Sequence, residues 1–306
     1  MVRSEGRLLL LDAASLYFRA FYGVPDSIKA PDGTPVNAVR GLLDFIAHLI
    51  TVRSPHRLVA CMDADWRPAF RVALLPSYKR HRLADPASGA EAVPDALEVQ
   101  VPIIIDVLDA LGLTHIGVAG FEADDVIGTI ATHDAGPVDI VTGDRDLFQL
   151  VDDARQIRVL YTARGVGRHE IVDEAAVMAR YGIPGQSYAE FATLRGDPSD
   201  GLPGVKGVGD KTAATLISRF GSVARLLEAI DDPAADLSPT IRRRLADAAD
   251  YLKVAPDVVR VRTDVPLPAY DDTLPTAPRN PEALVELGER WNLDGSLNRV
   301  LAALAR

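Results

Sequence analysis

A single cysteine occurs in 306 residues, Cys61, and it sits within the apolar run 58–62. One thiol excludes a disulfide framework and a cysteine metal cage. It points to a buried core side chain in a reducing compartment rather than to a nucleophile. Long hydrophobic runs are missing too. The N-terminal run 8–11 stops at Asp12, too short for a membrane span or a signal-peptide core. No membrane partner is therefore expected, and the cytoplasm is the default location. Basic residues are in deficit, with 33 Lys and Arg against 43 Asp and Glu and a formal net charge of −10. As an average, that speaks against nucleic acid, whose binding domains are usually basic. Internal repeats and low-complexity tracts are also absent. What remains, 48% hydrophobic and 25% charged, is an ordinary globular composition with room for one large core or two modest ones.

The acid that is present falls in one kind of place. Residues 7–11 read as a buried strand that ends at Asp12, and residues 57–62 repeat the pattern before Asp63. Residues 114–119 do so before Gly120 and the stretch FEADDVIG, which holds Glu122, Asp124 and Asp125; residues 138–142 do so before Asp144 and Asp146. Helical periodicity fills 37–52, 95–111 and 122–133 between them. Strands alternating with helices predict an α/β fold, a central mostly parallel sheet with helices on both faces. Ligands of such sheets bind beyond the carboxyl ends of the strands, where these seven acids would converge.

The stretch 76–94, PSYKRHRLADPASGAEAVP, has no apolar period and is long for a connection, which suggests a lid or a disordered segment. Its first half carries Tyr78, Lys79, Arg80 and Arg82, which would suit a phosphate backbone or an ordinary solvated charge run. A further apolar run, 157–161, precedes a glycine-rich turn at 164–167. From there the pattern is helical, over 173–181, 187–194, 210–220, 223–230 and 239–254. Prolines punctuate 265–281 before a last amphipathic stretch, 282–304. Two units are expected: 1–175, containing 76–94, and a helical unit 176–306 whose proline-rich tail returns to the body.

Asp197 and Asp200, from GDPSDG, bring the candidate acids to nine. Without those nine, the net charge of −10 would be −1, so the rest of the surface is near balance and has room for basic patches. Crowded carboxylates raise one another's pKa, and desolvation adds to the cost; hard divalent cations resolve the conflict. A set of oxygens with no His or Cys suits Mg²⁺ or Mn²⁺ over Zn²⁺. Two such ions roughly 3.5 to 4 Å apart would stabilise both the attacking and the leaving oxygen of a phosphodiester displacement. Any one of these acids alone would read as a helix cap or a surface charge; four strand ends each delivering acid do not.

The segment GLPGVKGVGDKT, 201–212, resembles a phosphate loop but fails the test, because Asp210 separates Gly209 from Lys211 and no apolar strand precedes it. Gly204, Gly207 and Gly209 instead fit a tight turn between helices whose bare amides approach a phosphate backbone, with Lys206 and Lys211 supplying cations. A glycine-rich corner between packed helices is the plain alternative.

In this order, LLLLDAASLYFRAFY, MDADWRPAFR leading to YKRHR, GFEADDVIGTIA, VTGDRDLFQLV and GDPSDGLPGVKGVGDKTAATLI resemble the 5′ nuclease domain of bacterial DNA polymerase I and the related flap endonucleases, nearly end to end. The resemblance implies a PIN-like (Rossmann-like) nuclease with two or more divalent ions on the nine acids, cutting 5′ flaps, nicks, gaps or free 5′ ends of DNA in replication and repair. It implies a helical arch carrying Lys79 and Arg82, with Lys79 reaching the scissile phosphate, and Arg19 near that phosphate. It also implies a helix-three-turn-helix at 201–211 that grips duplex DNA and holds K⁺ on main-chain carbonyls. DNA polymerase and ligase are the implied protein partners, and a monomer is expected. Arg145 stands where the family commonly has Lys, Gly201 where it has Asn, Lys206 where many have Pro, and Met62 where Phe is typical; none of these removes a carboxylate. The chain ends at Arg306 with no polymerase following, as expected of a stand-alone paralogue or an excised domain.

Two rival readings stay open at this level. One is a branched-DNA-binding module whose acids hold structural ions. The other is a metal-dependent phosphohydrolase of small phosphate esters, against which Asp12 is followed by Ala13 and Ala14 with no partner Asp.

Overall fold

The run Leu8 to Leu11 is apolar on both faces because the strand it forms lies in the middle of a sheet covered on both sides. The computed structural model describes residues 6–85 and 90–306. Six strands, β1 (Leu8–Asp12), β2 (Arg57–Cys61), β3 (Thr114–Ile116), β4 (Val138–Thr142), β5 (Ile157–Tyr161) and β6 (Glu170–Val172), form one sheet in the order β3-β2-β1-β4-β5-β6. All neighbours are parallel except β6, which runs antiparallel to β5. The order turns back on either side of β1, so its carboxyl end opens on a crevice between neighbouring crossovers.

Alternation along β1 divides the core. Leu9 and Leu11 pack under α1 (Ala13–Gly23) and α2 (Asn37–Arg53), whereas Leu8 and Leu10 face the opposite layer. Next in the chain come the short α3 (Ala69–Leu74), α4 (Asp95–Glu98) and α5 (Gln100–Leu111), then α6 (Ala123–His133) beneath Leu8 and Leu10. Helices α7 (Glu174–Tyr181), α8 (Tyr188–Arg195), α9 (Asp210–Phe220), α10 (Val223–Asp231), α11 (Pro239–Asp247) and α12 (Ala249–Val259) make the helical half. The chain then returns: the Leu58 amide donates to the Asp272 carbonyl at 2.8 Å, and α13 (Pro281–Trp291) and α14 (Asp294–Leu304) bring Leu284, Leu297 and Val300 to the core around α2 and α5.

Several boundaries differ from the sequence reading, each for a local reason. The helix expected at 95–111 is interrupted at Val99, and the one expected at 282–304 divides at Asn292, which adopts φ 54° and ends α13 in a left-handed cap. The helix at 239–254 divides at Ala248 and then continues through Pro256 to Val259. The strand at 114–119 stops at Ile116. Helix α3 and the edge strand β6 carried no apolar period strong enough to read, whereas α1 buries Ala13, Leu16, Tyr17 and Ala20 at helical spacing and was overlooked among the small residues that follow Asp12. In the stretch 76–94 the described helix is a single turn at Arg80–Arg82, followed by an antiparallel bridge between Leu83 and Glu91; the lid or arch expected there extends into 86–89, which lie outside the described residues. Among the described residues no helix is long and apolar enough to cross a membrane.

Candidate active site

Each acid is placed by the element that ends or starts at it. Asp12 closes β1 and caps α1: its Oδ1 accepts the Ser15 amide at 3.1 Å and its Oδ2 the Thr142 hydroxyl at 2.6 Å. Asp63 follows β2 and accepts the Ala123 amide at 2.7 Å, at the start of α6. Glu122 and Asp125 form a capping box on that helix. Asp144 and Asp146 follow β4; the Asp144 amide donates to the Thr142 hydroxyl and the Asp146 amide to Asp144 Oδ1, both at 2.8 Å. Asp197 arrives from the helical half and accepts the Ser199 amide at 2.9 Å.

Six of the nine, Asp12, Asp63, Glu122, Asp124, Asp144 and Asp197, line one crevice of about 390 Å³, together with Lys79, Arg82 and Arg145. Glu91 lines it as well, a carboxylate unmarked in sequence because it follows no strand. Asp146 and Asp200 stand just behind this wall. Asp200 accepts Arg82 Nη2 at 3.0 Å, and its carbonyl accepts the Lys79 amide at 2.9 Å. Asp146 is 8% exposed, and its Oδ1 has no hydrogen-bond partner.

Asp125 departs from the sequence reading. One position beyond Asp124, it is rotated by about 100° around the helix, away from the crevice. Its oxygens accept Arg71 Nη2 at 2.6 Å, Arg71 Nη1 at 2.7 Å and the Arg262 amide at 2.8 Å. It is a structural carboxylate, and the Arg71 that commits it lies on α3, the helix the sequence did not announce.

The crevice is electrostatically strained without a counter-ion. Burial pushes the Asp12 carboxyl up to about 7, with Asp63 and Asp144 adding repulsion against the hydrogen bonds from Thr142 and Ser15. Asp124 is raised well above its ordinary value by burial and then by Asp12 and Asp144, and Asp146 by burial and then by Asp144 and Asp200. Asp144 opens to solvent at the mouth yet is walled by protein around it; it is raised by that enclosure first and next by Asp200. Among the described residues no three His, Cys, Asp or Glu side chains already stand together as a ready cage for one ion.

The cations are distributed unevenly. The Lys79 ammonium meets Glu122 Oε1 inside the crevice, and its backbone is left-handed, φ 47°. Arg82 reaches the Ser199 carbonyl at 2.8 Å. Arg80 is exposed outside the crevice. Tyr78 is not available as a surface contact: it is 4% exposed, and its hydroxyl donates to Glu122 Oε2 at 2.8 Å. Arg19 lies outside the crevice lining and borders a neighbouring cavity with Tyr22, Phe45 and the loop 164–168; Ser15 and Phe18 are common to both cavities. A Cβ on Gly143, a crevice residue, would stand 3.5 Å from Arg19 Nη2, so Arg19 borders the wall that the two cavities share.

The glycine turn before α9 has the geometry its sequence called for. Gly204 and Gly207 adopt φ 63° and 79°, and a Cβ on Gly204 would stand 2.5 Å from the Arg195 carbonyl. Lys206 and Lys211 are exposed, and Gly209 is the N-cap residue of α9. Arg244 on α11 donates to the Gly207 carbonyl at 2.9 Å, and Arg243 shares the groove there; the sequence reading passed over both arginines. Gly201 carries its own reason: at φ 72° it sits so close under the loop at Ser77 that a Cβ would lie 2.3 Å from the Ser77 carbonyl.

Residues 7–182 match the family model described as 5′-3′ exonuclease, N-terminal resolvase-like domain, and residues 183–282 match 5′-3′ exonuclease, C-terminal SAM fold. A Streptomyces coelicolor protein named 5′-3′ exonuclease is 62% identical over 97% of this chain and 99% of its own. A Mycobacterium tuberculosis protein of the same name is 50% identical over 97% of each chain. Among solved structures, a bacteriophage T5 flap endonuclease crystallised with DNA and metal ions superposes with a TM-score of 0.64 at 18% identity, over 98% of this chain and 100% of that one. At that identity the likeness speaks to the fold.

Proposed function

This chain belongs to the 5′-3′ exonuclease family and is a structure-specific 5′ nuclease; we propose that it hydrolyses phosphodiesters at 5′ flaps, nicks, gaps and free 5′ ends of DNA with the help of two divalent ions. The observation that carries this reading is the crevice at the carboxyl edge of the sheet, where six carboxylates from five separate segments meet Lys79 and Arg82. Mg²⁺ or Mn²⁺ would be held by Asp12, Asp63, Glu122, Asp124, Asp144, Asp146, Asp197 and Asp200; Asp125 is left out because Arg71 holds it. Bound there, the ions supply charge neutralisation for the phosphodiester and acidify the attacking water.

The chain's own residues do the rest. Lys79 and Arg82 face the crevice from one side and offset the negative charge that grows on the phosphate. Lys206, Lys211 and the amides of the turn 204–209 hold the duplex backbone at a distance from the cut, and a K⁺ ion on the turn's carbonyls would fit the same contact. We divide the chain near residue 175 into an α/β unit that carries most of the crevice and a helical unit that grips DNA and lends Asp197 and Asp200 to the cut. A monomer working in the cytoplasm alongside a polymerase and a ligase accords with this chemistry.

The test is a 5′-labelled flap duplex incubated with the folded protein and Mg²⁺ or Mn²⁺. Release of the flap is expected, and an uncut flap overturns the proposal. Asp144→Asn distinguishes a nuclease from a binding module: turnover is lost and flap binding retained in the first case, and neither changes in the second.

A further inference from the structure

Arg71 is a deeply enclosed cation, 2% exposed, and every donor edge of its guanidinium is used. Nη1 donates to Glu122 Oε2 and Asp125 Oδ2, each at 2.7 Å, and Nη2 to Asp125 Oδ1 at 2.6 Å. Nε donates to the Val258 carbonyl at 2.9 Å, and Nη2 also faces the Arg260 carbonyl at 3.5 Å. Asp125 is in turn fixed by the amides of Arg262, at 2.8 Å, and Glu122, at 3.2 Å. The guanidinium is thus clamped from behind by the backbone that follows α12, and one prong projects onto Glu122. Tyr78 adds a second donor to the same oxygen at 2.8 Å. With Oε2 held by two donors, the carboxylate has one orientation, and Oε1 is the oxygen left to the crevice, where it meets Lys79.

We propose that Arg71, with Tyr78, is a positioning residue of the nuclease site: it aims Glu122 at the divalent cation and does not itself meet DNA. The inference rests on reading Glu122 as a cation ligand. An outer partner of this kind acts through the ligand it orients, and its loss typically lowers metal affinity about 10- to 100-fold. Lysine cannot replace the fork, because an ammonium keeps the charge but not the planar pair of donors that spans Glu122 and Asp125.

The experiment titrates Mn²⁺ alone into the full-length, metal-free protein and follows free Mn²⁺ by electron paramagnetic resonance, beside a thermal melt and cleavage of a flap duplex. Arg71→Lys is expected to weaken Mn²⁺ binding about 10-fold and Tyr78→Phe about 3-fold, less than the full worth of a hydrogen bond to a charged group because Arg71 still holds the same oxygen. Both are expected to lower kcat while leaving KM for the flap near wild type. A merely structural Arg71 would lower the melting temperature with Mn²⁺ affinity unchanged, and that result overturns the inference. Should Arg71→Lys fail to fold, Tyr78→Phe decides alone, because it removes only a hydroxyl. Glu122→Gln separates the two levels: if it binds Mn²⁺ as wild type does, the ligand reading of Glu122 is wrong, whereas if it binds weakly while Arg71→Lys and Tyr78→Phe do not, only the positioning role falls.

Discussion

Asp124 and Asp125 are neighbours in sequence with opposite occupations, and the difference is measurable. Asp124 faces Asp12 and Asp144 across the crevice, and burial and their repulsion outweigh the pull of Lys79, so its charge opposes folding whenever no metal is bound. Asp124→Asn is expected to stabilise the metal-free protein at about pH 8 by about 1 kcal/mol while abolishing flap cleavage, as read from denaturant unfolding and a cleavage assay. Asp125 shows the reverse. It is fully buried against Arg71, and removing one member of such a pair strands the other, so Asp125→Asn should cost about 3 kcal/mol. Equal effects of the two substitutions in urea unfolding would contradict the assignment. All nine acids were visible in the sequence, but their directions were not. Which of two adjacent helical carboxylates looks into the crevice depends on a third residue, Arg71, on a six-residue helix too short to show a period.

At the scale of elements, the strand ends were legible because a buried strand of a covered sheet must be apolar on both faces, and its first acid marks where it leaves the core. Edge strand β6 lacked that signature: Glu170 and Ile171 are exposed, and only Val172 is buried. The turn before α9 was legible through its glycines, and its proposed phosphate grip is testable as an element. If Lys206 and Lys211 each neutralise one backbone phosphate, replacing either with Ala should reduce the salt dependence of flap binding by about one unit in log affinity against log salt, without changing the metal requirement. Gly204→Ala should weaken binding more severely, because its Cβ has no room beside the Arg195 carbonyl at φ 63°. A salt slope unchanged in both lysine variants would return the turn to a mere packing corner.

For the whole molecule, the crevice makes stability depend on pH in an unusual direction. Asp12 titrates near 7 in the folded chain instead of near 3.8, and Asp124, Asp144, Asp146 and Glu122 are also raised, by burial first in each case. Between the ordinary carboxylate value and these raised ones the native chain holds protons that the unfolded chain has released. Unfolding therefore releases protons, and stability falls as pH rises through that window. Carboxylates whose pKa is lowered, such as Asp264 beside Arg262 and Asp271 beside Thr273, pull the other way, but they lie on the surface, where screening leaves them little weight. The metal-free melting temperature should accordingly rise as pH is lowered from about 7.5 to about 5.5. If the crevice holds divalent cation as proposed, adding it at the upper pH should restore the melting temperature by mass action, since it would bind the native crevice and not the unfolded chain. Asp12→Asn should flatten the dependence, because an amide has no proton to lose across the window. A melting temperature that is level or falls on acidification, in a protein whose metal has been removed by chelation and dialysis, would mean that the acids do not crowd one another as the crevice places them.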